Sequence, residues 1–88
     1  MEPIVEWTGS LAFALQRALR MNSETFAATL GVHARTVDMW RTNPSRVPTV
    51  ELQQALDTAL ERANEKALRR FQLIILTAKE SQPKDAAR

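Results

Sequence analysis

The sequence predicts an all-α protein, a small helical bundle with an extended C-terminal helix. Residues that favour helices, chiefly Ala, Leu, Glu, Gln and Arg, dominate its 88 positions. No stretch alternates apolar and polar residues as a strand does, and no hairpin dipeptide such as Asn-Gly occurs. Apolar residues recur instead at helical spacing, and only two glycines and four prolines interrupt them.

Three helices are predicted in the first half of the chain. Ser10 is a good N-cap for a first helix over about residues 11–20. Ser23 is the expected N-cap of a short second helix, which ends at Gly31 because glycine adopts a left-handed backbone at little cost. A third helix follows over about residues 34–41.

The second half is predicted to be one or two further helices. Thr49 caps a fourth helix, and its apolar stripe continues to about Ala78. Two helices joined near Asn64 would fit this stripe, but the lack of Gly and Pro between Pro48 and Pro83 favours continuity. The predicted organisation is a domain over 9–63, a C-terminal helix over 64–80, and flexible ends over 1–8 and 81–88.

Composition disfavours several classes of protein. Without cysteine and with one histidine, the chain offers no disulfide framework, no Cys-based zinc site and no histidine cluster for a metal. No apolar run approaches the ~18 residues of a membrane span, and the N-terminus does not resemble a signal peptide. No paired carboxylates, nucleophile-base pair or phosphate loop is visible. We therefore expect a cytoplasmic protein that is not an enzyme and needs no cofactor or metal.

Positive charge is concentrated in one part of the chain. The net charge of the whole chain is only +2. Between positions 17 and 46, however, there are five arginines and only two acidic residues, which gives a local net charge of +3. A basic segment within a nearly neutral chain is typical of a surface that binds phosphates.

The same segment contains two short helices joined by a tight turn, over residues 23–42. Ala27 is small enough for the helices to approach closely where they cross, and Gly31 makes the reversal. Val37 and Trp40 are spaced to seat the second of these helices on the first. The opposite face is then directed away from the core, as in a helix presented to the major groove of DNA.

These residues resemble the xenobiotic-response-element class of helix-turn-helix regulators, the Cro and phage-repressor type. The similarity is greatest to the actinobacterial branch and runs from WTGSLAFALQRALRMNSETFAATLGVHARTVDMW to ALDTALERA, over residues 7–63. The resemblance implies a five-helix domain that binds duplex DNA sequence-specifically as a homodimer, here as a small, nucleoid-associated repressor. The sequence departs from the family at His33, where a serine N-cap is usual, and at Asp38 and Met39, where polar or basic residues are common.

The candidate DNA contacts lie on the third helix, which is the recognition helix in this resemblance, at the start of the second helix and in the loop after the third. Asp38 either forms an intrahelical pair with Arg35 or Arg41 or accepts a hydrogen bond from cytosine N4. The full candidate set is Ser23, Thr25, His33, Ala34, Arg35, Thr36, Asp38, Met39, Arg41, Asn43 and Arg46.

The C-terminal helix is the candidate dimer interface, through Phe71, Ile74, Ile75 and Ala78. Residues 73–76 are apolar around the whole circumference of the helix, and one small domain rarely buries every face. The competing interpretation is that these residues cover the core of their own domain. For the protein as a whole, the competing function is a protein-interaction module, antitoxin-like or adaptor, on a helix-turn-helix scaffold with weak or no DNA binding.

Overall fold

The predicted all-α fold is confirmed in a computed structural model that describes residues 6–80, with side chains described for residues 6–77. Within these residues the regular structure consists of five helices. They are α1 Gly9–Leu19, α2 Ser23–Leu30, α3 Ala34–Thr42, α4 Val50–Arg62 and α5 Glu65–Glu80. The predicted flexible ends fall mainly on residues 1–5 and 81–88, which lie outside the described part.

Side-chain caps begin most of these helices, though not always the caps predicted. Thr8, not Ser10, caps α1, and Ser10 lies inside that helix. Asn22, not Ser23, caps α2, and Ser23 is its first helical residue. Thr49 caps α4 as predicted. The two wrong assignments have one cause, because neighbouring Ser, Thr and Asn residues suit an N-cap almost equally and the backbone angles choose among them.

The fourth and fifth helices are separate, so of the two arrangements that the sequence left open, two helices joined near Asn64 is the one found. Ala63 adopts an extended backbone, with φ −67° and ψ 144°, and ends α4. Asn64 follows, and its side-chain Oδ1 accepts a hydrogen bond from the backbone N–H of Ala67 at 2.8 Å. An asparagine that caps the next helix breaks the chain here without Gly or Pro.

One core unites the five helices. Trp7, only 1% exposed, stacks on Phe71 of α5 with ring centroids 6.0 Å apart. Its indole N–H also donates a 2.7 Å hydrogen bond to Asp57 of α4. Trp7 is therefore part of the folded domain and not of a flexible end. The buried apolar residues are Trp7, Ala12, Ala14, Leu15, Ala18, Phe26, Ala27, Leu30, Val37, Trp40, Leu56, Ala59, Ala67 and Phe71.

The fifth helix packs against the first. Phe71 is completely buried, and Arg70 donates a hydrogen bond from Nε to the carbonyl oxygen of Ala18 at 2.8 Å. This contact places a cation at the C-terminal end of α1, where the helix dipole favours it. Thus α5 belongs to the bundle and is not merely appended to it. None of the helices in the described range is both long and apolar enough to cross a bilayer.

Candidate nucleic-acid interface

Residues 31–33 make a tight connection between α2 and α3. Gly31 has φ +78°, in the left-handed region that glycine adopts most easily. The backbone N–H groups of Gly31 and Val32 both donate to the carbonyl oxygen of Ala27, at 2.8 and 3.0 Å. The chain therefore reverses immediately after the last turn of α2, as the position of Gly31 predicts.

The two helices pack through the residues that the sequence assigns to the core. Phe26 is fully buried and meets Trp40 edge to face, with ring centroids 6.4 Å apart. Ala27 and Val37 are also buried, at 3% and 1% exposure. Since these residues occupy the inner side of α3, the opposite side is available to a ligand.

The free face of α3 is polar near its start. Arg35 is exposed, and Ala34 and Thr36 are half-buried. Exposed His33 occupies the N-cap position but makes no side-chain capping hydrogen bond. These four residues line an open depression of about 500 Å³. Because the first N–H groups of a helix have no intrahelical acceptor, this end of α3 favours an anionic or hydrogen-bond-accepting ligand.

Asp38 lies in the middle of α3 and is exposed. In the described structure its carboxylate is paired with Ser23 of α2, whose Oγ donates to Oδ1. The intrahelical pair with Arg35 or Arg41 is therefore not the arrangement found. Half-buried Met39 is the next residue along the helix.

Residues 41–47, at the end of α3 and in the loop after it, are exposed, and the loop is attached to α1. Arg41, Asn43 and Arg46 are all exposed, as a contact to the DNA backbone would require. The side-chain amide of Asn43 donates to the carbonyl oxygen of Met39 at 3.2 Å, so in the free protein it caps the end of α3. The backbone N–H of Gly9 donates to the carbonyl oxygen of Arg46 at 2.7 Å. The first residue of α1 thus fixes the path of this loop.

Sequence reasoning missed two residues that build this region. Asn22 caps α2 by accepting from the N–H of Thr25 at 2.7 Å, and Thr25 is itself exposed. Gly9 lies buried beside the backbone at the end of α3. In the sequence, Asn22 is visible only as a polar residue before Ser23, and Gly9 only as a glycine near Trp7. Neither signal shows that Asn22 caps α2 or that Gly9 packs against the end of α3.

The five arginines of the basic segment are all exposed, and they lie on α1, at its C-cap, on α3 and in the loop after α3. The guanidinium of Arg17 lies 5.9 Å from the ring centroid of Phe13. Arg20 has a left-handed backbone, φ 60°, at the C-cap of α1. The set is Arg17, Arg20, Arg35, Arg41 and Arg46.

The candidate dimer residues of α5 are mostly directed inward. Phe71 is fully buried, and Ile74 and Ile75 are half-buried against the core. The side chain of Ala78 lies outside the described residues. The exposed apolar residues of α5 are instead Leu73 and Leu76, at 58% and 54% exposure. Phe71 therefore fits the competing core interpretation and presents no surface to a second chain.

Among the described residues, no group of three His, Cys, Asp or Glu side chains is placed to hold a metal ion. No protein-family model matches the chain, and neither a curated protein nor a solved structure matches it. The functional interpretation therefore depends on the sequence and on the geometry of α2, α3 and their surroundings.

Proposed function

We propose that the protein is a sequence-specific regulator of transcription, a repressor, that binds double-stranded DNA as a homodimer. In this proposal α2, the turn at Gly31 and α3 form a helix-turn-helix, and α3 enters the major groove. The mechanism is passive, because binding alone occupies the DNA site. No metal or cofactor takes part.

The observation that carries the proposal is the division of α3 into two faces. Val37 and Trp40 are buried against α2, whereas Arg35 extends from the opposite face near the start of the helix. An arginine at this place can donate two hydrogen bonds to O6 and N7 of guanine, the commonest specific contact in the major groove. A helix packed in this way presents its first turns to the base edges.

Charge supports the same assignment. Arg41 lies in the last turn of α3 and Arg46 in the loop after it, and both are exposed, so each can contact a phosphate on the rim of the groove. The first turn of α2, at Ser23 and Thr25, supplies the positive end of a helix dipole. Phosphate contacts of this kind give affinity and orientation, and Arg35 gives discrimination among bases.

Dimerisation completes the proposal, because one recognition helix reads only a few base pairs. We assign the interface to the exposed face of α5 that carries Leu73 and Leu76. Two copies related by a twofold axis would address half-sites about one helical turn, roughly 34 Å, apart.

The decisive experiment selects bound sequences from random duplex DNA and then measures affinity for the preferred site. Arg35→Ala is expected to weaken that affinity by about 1–3 kcal/mol and to relax the preference at one position. Arg62→Ala, which removes an exposed arginine outside the basic segment, is the matched control. Affinity should also fall steeply as salt concentration rises.

The alternative is a protein-interaction module, and the same experiment separates the two. No enrichment of any sequence, together with no binding of random duplexes at low salt, would support the alternative. If a sequence is enriched but Arg35→Ala does not change the affinity for it, DNA binding is supported and the proposed docking of α3 is contradicted.

A further inference from the structure

The hydrogen bond between Ser23 and Asp38 connects two helices at the exposed face of α3. Ser23 is the first residue of α2 and is half-buried, whereas Asp38 is exposed one turn beyond Arg35. An aspartate on a helix surface ordinarily samples several side-chain conformations. Here a donor from a second helix selects one of them.

The relative position of donor and acceptor is itself fixed by the core. Phe26 and Trp40 pack edge to face between α2 and α3, and both are at most 2% exposed. The carboxylate of Asp38 is therefore oriented before any ligand arrives. Ser23 occupies Oδ1, and because an ionised carboxylate only accepts hydrogen bonds, the group still requires donors for its remaining lone pairs.

The base edges in the major groove offer few donors. Guanine presents N7 and O6 and thymine presents O4, all acceptors that repel a carboxylate. Only the amino groups of cytosine, N4, and adenine, N6, can donate. Adenine also presents the acceptor N7 beside its amino group, whereas cytosine has no such neighbour. A carboxylate with one oxygen already engaged therefore fits cytosine best.

We propose, on the basis of the DNA-binding function above, that Asp38 is a specificity residue that selects cytosine at one position of each half-site. Ser23 is its positioning residue. Arg35 lies three residues earlier on the same helix, and its charge offsets the repulsion between Asp38 and the DNA backbone. The recognition helix thus presents Arg35, which donates hydrogen bonds to guanine, beside Asp38, which accepts a hydrogen bond from cytosine.

The test compares sequences selected from random duplex DNA by the native protein, Asp38→Ala, Asp38→Asn and Ser23→Ala. The native protein should require cytosine at one position, with a loss of about 5- to 150-fold in affinity for other bases there. Asp38→Ala should remove that preference and leave the other positions unchanged. Asp38→Asn should shift it to adenine, since an amide pairs with both N6 and N7.

Ser23 is tested by affinity measurements on the selected site and on the same site with its cytosine replaced. Ser23→Ala should lower the discrimination several-fold in the native background and have no effect on discrimination in the Asp38→Ala background. Ser23→Thr keeps a hydroxyl and should restore discrimination. Thermal unfolding by circular dichroism checks that each variant is folded, which is expected because Asp38 is exposed and Ser23 is only half-buried.

The possible results test the role of Asp38, the role of Ser23 and the DNA-binding function separately. If the native protein selects a site and Asp38→Ala selects the same one with the same discrimination, the role of Asp38 is wrong while the DNA-binding function stands. If Ser23→Ala discriminates as well as the native protein, the positioning role is wrong. If the native protein enriches no sequence, the DNA-binding function fails and this inference fails with it.

Discussion

Replacing Gly9 by alanine should destabilise the protein, although a glycine-to-alanine change in a helix ordinarily stabilises it. Gly9 is buried at the first position of α1, against the backbone at the end of α3. A Cβ atom there would lie 2.5 Å from the carbonyl oxygen of Asn43 and 3.0 Å from that of Trp40. Both are backbone atoms, so the clash is relieved only if α1 and the loop after α3 move apart.

The size of the effect follows from this geometry. Overpacking of a rigid contact costs about 1–3 kcal/mol. Separation also weakens two backbone hydrogen bonds, from Gly9 to Arg46 at 2.7 Å and from Ser10 to Pro44 at 2.8 Å. Each contributes about 0.5–1.5 kcal/mol, and the helix-favouring effect of alanine returns at most about 1 kcal/mol. We expect the free energy of unfolding to fall by about 2–4 kcal/mol.

Gly31 provides the matched control. An added Cβ there would meet nothing within 4 Å, and only the backbone angle, φ +78°, is unfavourable. Gly31→Ala should therefore cost about 1–2 kcal/mol, the penalty of a left-handed residue with a side chain. Urea unfolding followed by circular dichroism measures both variants. A Gly9→Ala protein as stable as the Gly31→Ala protein, or more so, would refute the argument.

Two further predictions concern the core and the proposed dimer. Trp7→Phe keeps a ring on Phe71 but removes the hydrogen bond from the indole to Asp57. The free energy of unfolding in urea should therefore fall by about 2–4 kcal/mol. A fall of less than about 1 kcal/mol would contradict the importance of that hydrogen bond. Leu73→Glu combined with Leu76→Glu should leave unfolding nearly unchanged and reduce cooperative binding to paired half-sites. The two leucines of each copy, four in a dimer, supply roughly 4–6 kcal/mol on burial, which does not exceed the cost of association, so sedimentation of the free protein should show mainly monomer. Unchanged cooperativity would place the interface elsewhere.

The residues of α2 and α3 were predictable because their contacts are local. Ala27 and Gly31 lie within one helical turn of each other, and Val37 and Trp40 follow at the spacing of one helix face. Such spacing is visible in a sequence without knowledge of the rest of the fold. The end of α2 at Gly31 and the inward face of α3 were predicted correctly for this reason.

The helix boundaries were less predictable, since they depend on backbone angles. Two adjacent residues, Asn22 and Ser23, are both good caps, and the sequence favours neither. The interruption at Asn64 is another case, because a stripe of apolar residues continues across it. Capping chemistry shows where a helix can begin but does not show whether the preceding helix has ended.

The candidate site depends on contacts between residues far apart in the chain. Ser23 and Asp38 are 15 residues apart, and no pattern predicts that a serine would take the place of an arginine as the partner of Asp38. The contact of Gly9 with Asn43 spans more than 30 positions. Both arise from the packing of whole helices, which single-residue preferences do not determine.

By itself, the sequence determined an all-α chain, the core face of α3 and the concentration of arginines between residues 17 and 46. Helical periodicity and composition are properties of short stretches, so they can be read directly. Only the tertiary structure decided which side of α5 is free. Residues 73–76 are apolar all round, but α1 packs against α5 and Trp7 stacks on Phe71, which leaves Leu73 and Leu76 exposed. Which face of a uniformly apolar helix is buried depends on its neighbour, not on its own residues.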